Sequence, residues 1–463
     1  MIAASCSVYI AGQLIPDGSA GDPAAPLALS GLSIHWGRST TVDQPEPATC
    51  SVDILDRGAG PVRVDQLVAL GATLVVNAAI DGHASVIVFS GRITDLDIQW
   101  DDAGGAVCEV IAADLMADLA NRYVGAEPWP AESLQARAQR ILTSAGVGAG
   151  AVTVDARPAG LPVSRMDVDR QASANLIREL ATTGTAAAWV VVPSATAAPG
   201  LRIEDPSARG SMRALIQQIP SLLWGIGPSA SASSPLDACS VLRDPVHWTR
   251  ATADLITRVT VRWMDQTTSP DPTERTVTLV DPSSEATFGA RGLSVGTVLA
   301  DQSSADAAAA LIVSGHRPSA VWRVTGLAWD FSVTPVETAT VELALQLLDN
   351  ATRIGLPLLV GPLPTWAPAG AEAGVYVEGG TYQYRDGRWI LGLIGAPGTG
   401  AGGSLSYWQT DGSIRYVDID PAITFLDMIG VGPRGNTGPS WQDIAAGRSW
   451  ASVPAGTDWS EFA

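Results

Sequence analysis

Residues 45–56 read PEPATCSVDILD, and residues 270–281 read PDPTERTVTLVD. Both follow Pro-acidic-Pro, four residues, then Val-x-aliphatic-aliphatic-Asp, without a gap. A tryptophan precedes each block at a similar distance, Trp36 ahead of Pro45 and Trp263 ahead of Pro270. The copies also end alike. In the first, Gly91-Arg92-Ile93-Thr94 leads into alternating Val107, Glu109 and Ile111; in the second, Arg323-Val324-Thr325-Gly326 leads into Val341, Leu343 and Leu345. Each closes on Asp-x-Ala-x-Arg, beginning at Asp118 and at Asp349. Landmarks in one shared order mark an internal duplication, with residues 30–122 and 256–353 expected to superpose.

Alternation sets the fold class. Cys50, Val52 and Ile54, then Val86 and Val88, then Val259, Val261 and Trp263 each show the period of two that a half-buried strand requires. Several short strands per copy predict a small barrel or curled sandwich. In the second copy a helix is expected from Ser304 to Ser314, capped by Ser303 or Ser304 and ended by Gly315 in a left-handed conformation. Between the copies the period becomes helical: Leu134, Ala138, Ile141, Leu142 and Ala145 form one apolar stripe, and Leu176, Ile177, Leu180 and Ala181 another. Strands come next at 188–192 and 201–203. The expected fold is therefore mainly β with an α+β insert. Residues 1–122 form a first β-barrel, 123–250 the insert and 251–355 a second β-barrel; 356–440 are a Pro/Gly-rich connector and a small aromatic-rich β-domain, and 441–463 a tail.

The C-terminal region reads differently. Asp386-Gly387 and Asp411-Gly412 are tight-turn signals between strands. Tyr382, Tyr384, Trp389, Tyr407 and Trp408 are either a stacking platform for sugar or the bulk of a small core. Three Gly-X-Y triplets run from Gly432 to Ser440, either a threefold-packing signal or an irregular turn. Trp441, Trp450 and Trp459 recur every nine residues and suit docking pegs on a partner.

Composition narrows the chemistry. The 28 basic residues are all arginine, which excludes a phosphate loop ending in Gly-Lys, a Schiff-base lysine and a Ser-Lys dyad. A net charge of −19 argues against gripping nucleic acid through its phosphates, and is compatible with DNA passing close by. His35, His83, His247 and His316 are isolated, without metal-ligand spacing, and no GxSxG elbow occurs. Cys6, Cys50, Cys108 and Cys239 are dispersed and read as buried free thiols of a reducing compartment. No apolar run is long enough to span a membrane, and the N-terminus lacks a basic region before its apolar stretch. No enzyme, metal or cofactor is expected.

The block Trp36-Gly37-Arg38-Ser39-Thr40-Thr41-Val42-Asp43-Gln44-Pro45-Glu46-Pro47 resembles the N-terminal motif of minor tail proteins of long-tailed bacteriophages infecting high-GC Gram-positive bacteria. The layout of barrel, insert and barrel is similar to the tail hub, or baseplate hub, family, over residues 1–355. The resemblance implies a structural virion protein at the tail tip, made in the host cytoplasm. It would adapt the sixfold tail tube to a threefold tip as a homotrimer and form part of the DNA channel. Implied neighbours are the distal tail ring protein, other minor tail proteins and the tape-measure protein. A host-wall adhesin binding glycan through the aromatic region is the alternative.

Overall fold

The first copy of the repeat forms a strand, Glu46–Asp56, whose Ala48, Cys50, Val52, Ile54 and Asp56 are all buried while intervening residues face outward. This is the sequence alternation expressed on a pleated backbone. The computed structural model describes residues 2–17, 27–39, 43–57, 64–100, 105–126, 128–192, 198–209, 247–250, 255–266, 271–316, 322–331, 338–360 and 373–397. All of these belong to one compact unit, Met1–Ala401.

Numbered along the chain, the first region gives β1 (Ala4–Ile10), β2 (Gln13–Ile15), β3 (Leu27–Gly37), β4 (Glu46–Asp56), α1 (Val64–Leu67), β5 (Thr73–Ile80), β6 (Val86–Trp100), β7 (Ala106–Ala113) and α2 (Leu115–Ala120). The strands lie antiparallel in the order β3-β4-β7-β6-β5-β1-β2. The far end of this sheet bends back toward β3, where the Leu29 N–H donates to the Pro16 carbonyl at 2.7 Å.

The insert comes next, with β8 (Tyr123–Val124), β9 (Pro128–Trp129), β10 (Glu132–Ser133), α3 (Leu134–Ser144), β11 (Val152–Val154), α4 (Ala156–Ala159), β12 (Pro162–Val163), β13 (Met166–Asp167), β14 (Gln171–Ala172), α5 (Ser173–Thr183), β15 (Ala187–Val191) and β16 (Gly200–Glu204). Its two-residue strands pair in nested fashion, β8 with β14, β9 with β13 and β10 with β12. The expected stripes of α3 and α5 are both buried, and they meet β15 and β16 in a core of their own.

The last region contains β17 (His247–Arg250), β18 (Arg258–Asp265), β19 (Thr273–Val280), α6 (Pro282–Phe288), β20 (Gly292–Gly296), α7 (Gln302–Gly315), β21 (Trp322–Asp330), α8 (Thr338–Leu348), β22 (Pro357–Val360), β23 (Ala373–Arg385) and β24 (Arg388–Pro397). The main sheet continues beyond β3 through β23, β24, β21 and β17, with β22 on β23. Between β23 and β24 the turn residues Asp386 and Gly387 both have positive φ, 51° and 75°, as a tight antiparallel hairpin needs. The Asp-Gly signal is thus met, although its hairpin joins the main sheet. The second signal, Asp411-Gly412, lies outside the described residues.

The molecule is mainly β, but the two copies are not equivalent barrels. Among the described residues the main sheet is an open path with ends at β17 and β2. Val52 sits on a strand flanked by β3 and β7, whereas Val277 lies on β19, an edge of the three-stranded sheet β19-β18-β20. What the copies do share is a hairpin. Trp36 and Trp263 are buried on its first strand, and a buried aspartate closes the second, Asp56 as the last residue of β4 and Asp281 as the residue after β19. Each aspartate then accepts a backbone N–H ahead of a short helix, from Val64 to Asp56 at 3.0 Å and from Ser284 to Asp281 at 3.2 Å. After Asp281 the paths diverge. Val341, Leu343 and Leu345, expected on a strand, lie on α8, because Leu, Ala and Glu at neighbouring positions favour a helix once the core supports it. The helix α7 is capped by Asp301 rather than by a serine, and it continues through Gly315, which has no positive φ.

Candidate functional site

The two motifs that anchored the sequence reading meet in the fold. Trp36 is buried near the end of β3, and the guanidinium of Arg353 stacks over its ring at 4.1 Å. Tyr382 of β23 meets Trp36 edge-on at 5.7 Å, and its hydroxyl donates to the Leu347 carbonyl at 2.6 Å. Arg353 Nη1 donates to the Val88 carbonyl at 3.0 Å. The Trp-Gly-Arg block and the closing Asp-x-Ala-x-Arg are therefore halves of one buried cluster.

Two residues further along, Arg38 begins an alternating chain of buried charges. Arg38 Nε donates to Glu378 at 2.7 Å, and Arg209 reaches the other oxygen of the same carboxylate. Arg209 also forks onto Glu204, at 3.0 and 2.8 Å, and Trp189 Nε1 donates to Glu204 at 3.0 Å. Burial alone would raise the Glu378 carboxyl, yet Arg38 and Arg209 hold it below the usual range. A low-dielectric setting makes such alternation strict, because a missing partner leaves a charge unbalanced. Gly37 permits the approach. It has φ +92°, and a Cβ there would stand 2.3 Å from the Glu378 carbonyl oxygen.

The cluster ties the insert to the sheet. Glu204, Trp189 and Arg209 come from the insert, Arg38 and Glu378 from the sheet. Gln44 of the same motif donates to the Ala186 carbonyl at 2.8 Å and accepts from the Ala188 N–H at 3.2 Å. Asn350 accepts from the Val192 N–H at 2.8 Å. The cavity left between these elements, lined by Trp36, Asp114, Trp189, Asn350 and Arg353, measures about 20 Å³. That admits a water molecule and no organic substrate. Chemically the arrangement is a lock.

Asp114 sits at one wall of this cavity. Its carboxylate accepts from Met116 N–H, capping α2, and from Ala48 N–H on β4, both at 2.9 Å. Burial pushes its pKa up to about 6, against the opposing backbone donors and Arg353. A folded-state pKa above the ordinary 3.8 means the native state binds the proton more tightly. This group's contribution to stability is therefore fully present below about pH 4 and declines as pH rises through about 6. Urea midpoints measured from pH 4 to 7 should fall for the wild type relative to Asp114→Asn. A difference independent of pH would refute the assignment.

A second feature lies on the outer face of the sheet. Asp53, Glu109 and Asp97 are exposed and directly opposite one another on β4, β7 and β6. Like charges in register on adjacent strands are destabilising. The Asp53 pKa is raised by partial burial and then by Glu109, against Arg385. Among the described residues, no group of three or more His, Cys, Asp or Glu side chains could hold a metal ion.

The aromatic candidates fall elsewhere. Tyr382, Tyr384 and Trp389 are 0%, 2% and 1% exposed, so the proposed sugar platform loses them to the core. The physical reason is the continuation of β23 and β24 into the main sheet, which turns these rings against β3 and α8. Tyr407, Trp408, Trp441, Trp450 and Trp459 lie outside the described residues, as does Cys239. Cys6, Cys50 and Cys108 are buried free thiols. The partners Glu378, Glu204 and Arg209 had no sequence signal, being separated from Arg38 by 166 residues or more.

No protein-family model matches the chain, and no curated protein sequence does. Solved structures do. A tail protein from Neisseria meningitidis MC58 matches with TM-score 0.52 and 12% identity, over 86% of this chain and 97% of its own. The 43 kDa tail protein of prophage MuSo2 from Shewanella oneidensis matches with TM-score 0.50 and 10% identity, over 86% of this chain and 99% of its own. At such identity the likeness establishes a shared fold, running through nearly the whole of both tail proteins.

Proposed function

We propose that this chain is a structural subunit of a bacteriophage tail, the hub at the tail tip, assembled as a homotrimer that adapts a sixfold tube to a threefold tip. The observation that carries the reading is the fold shared with two tail proteins across almost their entire length. The Trp36–Arg353 and Arg38–Glu378 lock supports it, since a subunit under ejection load needs its insert fixed to its sheet. The repeat enters as two Trp-bearing hairpins per subunit, which a trimer would present as six related elements to a sixfold ring. The acidic row Asp53, Glu109 and Asp97 suits a channel wall along which DNA slides without binding. On this reading the chain resides in the virion, with the distal tail ring, other minor tail proteins and the tape-measure protein as neighbours, and its role is assembly rather than catalysis.

The test is the mass of the purified full chain by light scattering, together with imaging of particles that carry it labelled. A trimer at one end of the tail is expected. A strict monomer, or a sixfold ring of this chain, would overturn the reading.

A further inference from the structure

Two of the strand edges that have no neighbouring strand among the described residues complement each other. The first is the end of β6. Its pairing with β5 runs no further than Arg92, so residues 94–100 are held as a strand by β7 alone. Leu96 and Ile98 lean on the main core, and Trp100 continues that face into solvent at 56% exposure. Asp95, Asp97 and Gln99 are exposed on the opposite face, and the Asp95 carboxylate holds the Leu96 N–H at 2.9 Å. The second edge is β19, at the end of the three-stranded sheet. Val277 packs against the core under α7, Leu279 shares that face at 36% exposure, and Thr276 and Thr278 are exposed on the other.

Laid antiparallel with Ile98 opposite Val277, the two edges match from Leu96 to Trp100, while Asp95 falls opposite Val280 at the end of the pair. Leu96 meets Leu279, and Trp100 meets Arg275, a pairing that aromatic rings and guanidinium groups favour. On the other face Asp97 meets Thr278 and Gln99 meets Thr276, each able to hydrogen-bond across the pair. Shifting the register by one residue would set both carboxylates against the apolar face. The edges do not pair with each other within the chain.

We propose that residues 94–100 of one copy add to β19 of the next copy, joining neighbouring subunits by strand addition. Each copy offers one edge of each kind, so the contact is head-to-tail, the kind that builds a ring when the rotation between copies closes. The inference rests on the homotrimer reading and supplies its interface.

The full-length chain carrying both Gln99→Cys and Thr276→Cys tests it. Directly opposed residues of an antiparallel pair have Cβ atoms about 4.5–5.5 Å apart, close enough for a disulfide after small adjustment. Mild oxidation should give dimer and trimer bands on a non-reducing gel, and neither single variant should give a ladder. Thr278→Asp, which sets a carboxylate against Asp97, should lower the trimer fraction at least tenfold, and adding Asp97→Arg should restore it. A double-cysteine chain that trimerises without cross-linking, or a Thr278→Asp chain that trimerises as the wild type does, overturns this interface and leaves the hub reading standing. A wild-type chain that stays monomeric at every concentration and in particles overturns both.

Discussion

Glu378→Ala is expected to cost about 3–5 kcal/mol of folding stability, the range seen when one partner of a buried ion pair is removed. Glu378 is the centre of the chain Arg38–Glu378–Arg209–Glu204, and its side chain lies between two arginines that are themselves almost wholly buried. Removing it leaves Arg38 without its carboxylate and Arg209 with Glu204 alone, in a place water does not reach. The loss should appear as a lower urea midpoint at neutral pH, with a slope no steeper than that of the wild type. A loss below about 1 kcal/mol would mean that both guanidinium groups find solvent, and the lock would then be a surface feature. Replacing Arg38, Glu378, Arg209 and Glu204 together by apolar residues of similar volume should cost far less, since no buried charge of the chain is then orphaned. That contrast separates the energy of the network from its role in fixing which surface of the insert meets the sheet.

Trp36→Ala is expected to cost about 3–5 kcal/mol as well, by another route. The indole fills the space between Arg353 and Tyr382, and its loss opens a cavity at the meeting point of β3, β23 and the Asp-x-Ala-x-Arg turn. Arg353 would keep its bond to the Val88 carbonyl and the Tyr382 ring at 5.3 Å, and lose the nearer aromatic face at 4.1 Å. Trp36→Phe, which retains a ring under the guanidinium, should recover most of the stability. Equal losses for the alanine and phenylalanine variants would show that the stacking contributes nothing. Both are read by denaturant midpoint and by near-ultraviolet dichroism, which reports whether the surrounding aromatics stay fixed.

How much of this was legible in the chain itself differs from element to element. The strand Glu46–Asp56 and the helices Leu134–Ser144 and Ser173–Thr183 are dictated by side-chain period alone, because one face of each is buried against a core. The Asp386-Gly387 turn is dictated by the positive φ that only a few residue types accept. The repeat around Pro45 and Pro270 likewise marked two hairpins with a buried tryptophan and a terminal aspartate. Local sequence determined these elements because the forces that make them act within a few residues.

Tertiary structure decided the rest. Val341, Leu343 and Leu345 alone satisfy a strand pattern, whereas the buried set Val341, Ala344, Leu347 and Leu348 is helical, and packing against β5 and β6 selects the helix. The second hairpin became an edge of a separate small sheet because the chain beyond Asp281 supplies α6, a parallel β20 and α7 in place of three more antiparallel strands. Tyr382, Tyr384 and Trp389 read equally as a surface platform or as core bulk, and the pairing of β23 with β3 made them interior. The ion chain joining Arg38 to Glu378 and Arg209 to Glu204 depends on positions brought together only by the completed sheet and insert. Charge pairing has no period and no range along the sequence, so the chain specified which groups were available, and only the folded backbone determined which of them met.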